Sequence, residues 1–223
     1  MNQVNSAYTR APVQVVATNK VIRNTYALLS LTLLFSAAMA GLSMVLALPY
    51  PGVLVTLLGY FGLLFLTTKF RNSALGLVFV FALTGFMGMT LGPILNAYIG
   101  HYANGTQLVM TALGGTGLTF VGLSAYAFSS RKDFSYLGGM LTAGILVAFL
   151  AGLASIFLPI PGLALAASAM FVVLMAGLIL YQTSQLIHGG ETNYIMATVT
   201  LYISIYNLFT SLLHLLGALS GDE

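Results

Sequence analysis

Cysteine is absent from this sequence, and with it go every disulfide framework, thiolate zinc site and cysteine nucleophile. Charge is nearly absent too. The 223 residues include seven Lys and Arg and four Asp and Glu, 5% of the chain, against roughly 25% in an ordinary soluble domain. A chain that is 59% hydrophobic with so few charges cannot cover itself for water. Spanning a hydrocarbon core of about 30 Å takes roughly 20 apolar residues per helix, so the composition reads as a polytopic all-α membrane protein.

The scarcity is sharpest where catalysis would need charge. None of the four acids lies in an apolar run: Asp133 and Glu191 fall in connectors, and Asp222 and Glu223 close the chain. An ionisable group inside a membrane helix is costly and marks function. The missing carboxylates therefore exclude an aspartyl intramembrane protease, and the missing lysine in the last run excludes a retinal protein. The metalloprotease pattern H-E-x-x-H does not occur, and His101, His188 and His214 belong to different connectors or helix ends. His214, three residues before Gly217, is expected at the interface as a wet or capping histidine. "GGTG" at 114–117 has no Lys or Ser following in P-loop spacing. "GLSAY" at 122–126 lacks the second glycine of a nucleophile elbow, which leaves Ser124 as a helix-packing serine.

What is present is a series of apolar runs between polar punctuation: Tyr26 to Leu48, Gly52 to Thr68, Ser73 to Ile99, Thr106 to Phe128, Phe134 to Leu158, Gly162 to Ile187 and Thr192 to Gly217. The reading is seven transmembrane helices. The short connectors "PYPG", "KFRN", "GHYANG", "SSRKD", "PIPG" and "HGGE" predict antiparallel packing of successive helices, with no inserted domain. Arg10, Lys20, Arg23, Lys69, Arg71, Arg131 and Lys132 all fall on one side of this map, which the positive-inside rule makes cytoplasmic. The expected organisation is a disordered cytoplasmic lead over 1–24, a bundle over 25–218 and a short tail over 219–223 on the far side. The lead lacks a short apolar segment with a cleavage site, so the first helix is expected to be retained.

Twenty-four glycines recur at close-packing spacing, as in Gly88 to Gly92 and the series Gly144, Ala148 and Gly152. Pro93 is expected to kink the third helix. The stretch "LILYQTSQLIHGGE", 178–191, places Gln182 and Gln185 one to two turns from the basic end of the sixth helix, and the seventh carries Ser204 and Asn207 near its middle. Amides in lipid need partners, so interhelical hydrogen bonding is the first expectation and a hydrated cavity the second.

"TFVGLSAYAFSSRKDFSYLGGML" at 119–141, "LYQTSQLI" and "LYISIYNLFTSLLHLLG" together resemble the transmembrane Bax inhibitor motif family, over all seven spans. The resemblance implies six helices surrounding a central C-terminal helix. It is nearest to bacterial inner-membrane members that modulate the ATP-dependent protease FtsH. It thus implies a non-enzymatic regulator whose partners are the FtsH complex and the lipid bilayer, without nucleic acid and without a cofactor. Several family members carry aspartates at the positions of Gln182 and Ser204, a pair that gates a calcium leak with pH. An amide and a hydroxyl neither exchange protons near neutrality nor neutralise a dication, so a cation leak or small-solute transporter is the alternative. The candidate site residues are Gln182, Ser204 and Asn207 at those positions, Arg131, Lys132 and Asp133 in the family motif loop, and Arg10, Lys20 and Arg23 in a lead that a membrane protease could engage.

Overall fold

The computed structural model describes residues 4–221, with side chains from Thr18 onward. The described residues form seven helices and no strand: α1 (Val4–Val45), α2 (Val53–Lys69), α3 (Ala74–His101), α4 (Gly105–Ser130), α5 (Leu137–Phe157), α6 (Leu163–His188) and α7 (Tyr194–Ser220). Six are long and apolar enough to cross a membrane, and α2, with 17 residues, is the short one. The helix ends fall close to the predicted punctuation, with one exception. The polarity of the lead predicts disorder as far as residue 24, but the α1 backbone is helical from Val4. Residues 18–24 contain no glycine or proline to stop the helix, and Val21 and Ile22 pack against the core, so this part of the lead does have apolar surface to bury.

The chain folds as antiparallel neighbours. α1 packs on α3, α2 on α3, α5 on α6 and α6 on α7. α7 also packs against α1, α3 and α4. Four helices therefore lie directly on α7, while α2 and α5 pack chiefly on α3 and α6 and touch each other through Phe61 and Phe149, whose rings are 5.9 Å apart.

With no hydrophobic drive between helices in lipid, close contact depends on small residues and hydrogen bonds. Gly88 and Gly92 place the α3 backbone against Ser36 and Ser43 of α1, where a Cβ on either glycine would collide. Pro93 has no N–H to give the Met89 carbonyl one turn back, and Ser43 of α1 donates to that oxygen at 2.8 Å instead. Helix α3 continues through the proline to His101. Deeper in the bundle, Tyr202 of α7 is fully buried. Its hydroxyl lies 2.6 Å from Ser36 Oγ and donates to the Thr84 carbonyl at 3.2 Å, which joins α1, α3 and α7.

Candidate functional site

The described basic side chains gather at one end of the bundle. Lys20 and Arg23 lie on exposed positions of α1, Lys69 and Arg71 follow α2, and Arg131 and Lys132 follow α4. The side chain of Arg10 lies outside the described residues. Two staples hold this end together, one from the connector between α6 and α7 and one from the end of α6.

The first staple is Asn193. It caps α7 by accepting from Met196 N–H at 3.0 Å, a satisfied N-cap of the usual kind. Its amide donates to the Arg71 carbonyl at 3.0 Å and to Asn72 Oδ1 at 2.8 Å, which ties the α2–α3 loop to the start of α7. Its own N–H donates to Glu191 Oε1 at 2.7 Å.

The second staple holds the Ser130–Ser135 loop on the last turn of α6. Phe134, buried, donates its N–H to Ser184 Oγ at 3.0 Å, and Ser184 Oγ donates to the Lys132 carbonyl at 3.3 Å. Gln185 Nε2 donates to Ser135 Oγ at 3.3 Å. His188 Nε2 lies 3.0 Å from the Arg131 carbonyl, and its Nδ1 lies 2.9 Å from the Ser184 carbonyl. Arg131 ends α4 in the left-handed conformation, with φ +50°, a geometry unfavourable for a side chain with a Cβ. Asp133 accepts from both the hydroxyl and the N–H of Ser135. The Ser135 hydroxyl first, then the Ser135 N–H, and then the nearby His188 hold its carboxyl below the usual range.

About 9 Å further in, six residues at 1.5 Å each from the ends of α4 and α6, lies a layer of uncharged polar groups. Tyr26 packs its ring against Phe120 and Phe128 of α4, at 6.2 and 5.9 Å, and Ser124 lies between those two on the same helix face. The Tyr26 hydroxyl meets Thr183 Oγ1 at 3.4 Å. Thr198 donates to the Thr25 carbonyl at 3.2 Å. Thr25 Oγ1, Ser124 Oγ and Gln182 Nε2 are buried there without a hydrogen-bond partner.

The structure does not join the three predicted cluster residues by hydrogen bonds. Ser204 donates to the Thr200 carbonyl at 2.7 Å and Asn207 to the Ile203 carbonyl at 2.9 Å, each within its own helix. Gln182 bonds to neither. Arg131, Lys132 and Asp133 are exposed on the stapled loop. His214 is not a wet cap: it is half-buried, and its Nδ1 lies 2.7 Å from Ser168 Oγ of α6. Sequence reading missed Ser184, His188 and Asn193. The available signal was their clustering beside the motif loop and the α7 start, but their partners are mainly backbone atoms, which no residue pattern marks.

Residues 18–221 match the model of the family described as "Inhibitor of apoptosis-promoting Bax1". The chain is 53% identical over 219 residues, 98% of each sequence, to the Escherichia coli protein named "Modulator of FtsH protease YccA". It is 58% identical over 203 residues, 91% of each, to an uncharacterized protein of Pseudomonas aeruginosa. It is 42% identical over 224 residues, the full length of both, to an uncharacterized membrane protein of Vibrio cholerae.

Proposed function

The chain belongs to the Bax inhibitor family, and from that premise we propose that it is a non-enzymatic inner-membrane regulator that binds and modulates the FtsH protease. The observation that carries this reading is the 53% identity, over nearly the whole of both chains, to a protein named for modulating FtsH. A relative in another Escherichia coli strain, also 53% identical over 98% of each chain, is named an inner membrane protein. The placement of the described cations at one end supports a cytoplasmic N-terminus and a C-terminus on the far side. Contacts of α7 with four other helices support its place as the central helix of the bundle.

The bundle is built to pack rather than to react. No Asp or Glu lies in a helix among the described residues, and the buried polar groups of the spans are hydroxyls and one amide. Such a body resists extraction from the bilayer. The lead, with Arg10, Lys20 and Arg23, is the proposed point of engagement, and slow removal of the seven helices that follow would occupy the protease and restrain it. Arg131, Lys132 and Asp133 are the proposed loop contacts.

The reading is tested by reconstituting FtsH in liposomes with a reporter membrane substrate, with and without this chain. Slower reporter turnover when the chain is present supports it, and unchanged turnover at every ratio of chain to protease overturns it. The alternative, a cation leak, has the unpartnered Gln182 amide in its favour. A donor N–H at that position repels a cation, however, and calcium flux through liposomes holding the chain alone would be needed to sustain it.

A further inference from the structure

We propose that α1 is a strap: the helix that a protease pulling on the lead meets first is the one tied most firmly across the bilayer, so its detachment is the slow step of extraction and sets how long the chain occupies the protease. The timing role rests on the regulator reading, whereas the strap itself does not.

Helices in lipid gain little from hydrophobic contact with one another, so interhelical hydrogen bonds and close packing decide how hard each is to remove. Among the described residues, eight side-chain hydrogen bonds join one membrane helix to another, and α1 takes part in five. At its basic end the Tyr26 hydroxyl meets Thr183 of α6, and the Thr25 carbonyl accepts from Thr198 of α7. Midway, Ser36 meets Tyr202 of α7. At the other end Ser43 donates to the Met89 carbonyl, and Asn96 donates to the Met44 carbonyl at 3.1 Å, both ties to α3. The remaining three bonds join α7 to α3 and α6. Helices α2, α4 and α5 make none. Thr67 of α2, Thr116 of α4 and Thr142 of α5 instead donate to carbonyls of their own helices.

The ties of α1 are spread so that they share a load. From Thr25 to Met44 they cover about 28 Å at 1.5 Å per residue, nearly the whole hydrocarbon thickness of about 30 Å. An unravelled backbone in lipid leaves its N–H and C=O groups unpaired. Whatever length of α1 is still in lipid therefore slides as one rod, and the bonds along it resist together. Packing opposes the same slide. Phe35 sits on Gly85, the Ser36 backbone on Gly88 and Ser43 on Gly92, each so close that an added Cβ would lie within 3 Å of it. Phe81 stands edge-on to Phe35 with ring centres 5.5 Å apart. Movement of α1 along its axis must lift all three residues out of these glycine notches.

Loss of α1 then weakens what remains. The Met89 carbonyl, which Pro93 deprives of its helical donor, loses Ser43, and Tyr202 loses Ser36. Later helices leave a bundle already loosened, so the first removal is the slowest.

Force measures the strap without any protease. The chain has no cysteine, so handles can be placed at will: Lys20→Cys with Pro51→Cys brackets α1, and Tyr136→Cys with Leu158→Cys brackets α5. In magnetic tweezers on the full chain in bicelles, α1 should open more slowly than α5 at the same force. Ser36→Ala with Ser43→Ala should speed the opening of α1 roughly tenfold, the equivalent of two interhelical bonds of average strength, and leave α5 unchanged. Opening of α1 as fast as α5, or an opening rate that the two alanines do not alter, overturns the strap. Reconstituted FtsH with ATP tests the timing. The Ser36→Ala, Ser43→Ala chain should be degraded roughly tenfold faster than wild type, while Ser168→Ala, which removes a tie between α6 and α7, should stay within twofold. Equal acceleration by both sets overturns α1 as the slow step. A chain that FtsH never degrades contradicts the extraction part of the regulator reading, and the force measurement still decides the strap.

Discussion

The Ser43 hydroxyl donates to the Met89 carbonyl at 2.8 Å across the α1–α3 interface, and that oxygen is the one Pro93 leaves without its helical N–H. Proline in a membrane helix is tolerated when a neighbour satisfies the freed carbonyl, and Ser43 is that neighbour. Ser43→Ala should lower stability by about 1 kcal/mol, near the upper part of the range for hydrogen bonds between membrane helices. In a Pro93→Ala background, where the alanine returns an N–H to the Met89 carbonyl, the same serine substitution should cost less than half as much. A double-mutant cycle by denaturant titration in mixed micelles measures the difference.

Tyr202 joins three helices through one hydroxyl, with Ser36 Oγ at 2.6 Å and the Thr84 carbonyl at 3.2 Å. Tyr202→Phe should destabilise the bundle by about 1–3 kcal/mol, because it leaves the buried Ser36 hydroxyl without its partner. Adding Ser36→Ala to the Tyr202→Phe variant should restore part of the loss, as measured in the same titration.

Gln182 presents a different case. Its amide nitrogen is buried without a partner, and an unsatisfied buried donor costs about 1–3 kcal/mol. Gln182→Leu should therefore leave stability unchanged or raise it, whereas a residue holding helices together by hydrogen bonds would lose stability. Thermal unfolding in detergent separates the two outcomes.

Asp133 closes a turn whose stability depends on pH. Its carboxyl is held below the usual range, first by the Ser135 hydroxyl and then by the Ser135 N–H. The turn it closes is therefore fully formed above the ordinary carboxylate range and is lost only as pH falls through the lowered value. Exchange of the Ser135 amide should accelerate below about pH 4 relative to its neighbours, an ordinary carboxylate value, and Asp133→Ala should abolish that acid step.

These residues also show how far the sequence could be read. Helix limits were legible wherever glycine, proline or charge interrupts an apolar run: Gly52, Gly162 and Gly189 all take positive φ at or beside helix ends. The start of α1 was not, because polarity alone suggests disorder for a segment that carries Val21 and Ile22 into the core. The pairing of Gly88 and Gly92 with α1 was legible as close packing, although the serines they meet were not. Gln182, Ser204 and Asn207 stand out as polar residues in apolar helices, yet Ser204 and Asn207 turn to carbonyls one turn back in their own helix, a solution open to any hydroxyl or amide in a helix. The Ser-Arg-Lys-Asp-Phe-Ser motif was visible, but its attachment to His188 was not, since three of the loop atoms held by α6 are backbone carbonyls and an amide.

The lead bears on how the protease would begin. Deleting residues 3–18 while sparing Lys20 and Arg23 should leave membrane insertion intact and lengthen the chain's half-life severalfold in cells with active FtsH. A pulse-chase measurement checks it, and the same half-life for both chains would place engagement elsewhere.

The most direct test of the regulator reading is association with the protease itself. Solubilising membranes in mild detergent and purifying the chain by a C-terminal tag should bring FtsH with it in a fixed proportion, with or without nucleotide. Recovery of the intact bundle free of FtsH, under conditions where the FtsH complex is itself preserved, would contradict the account.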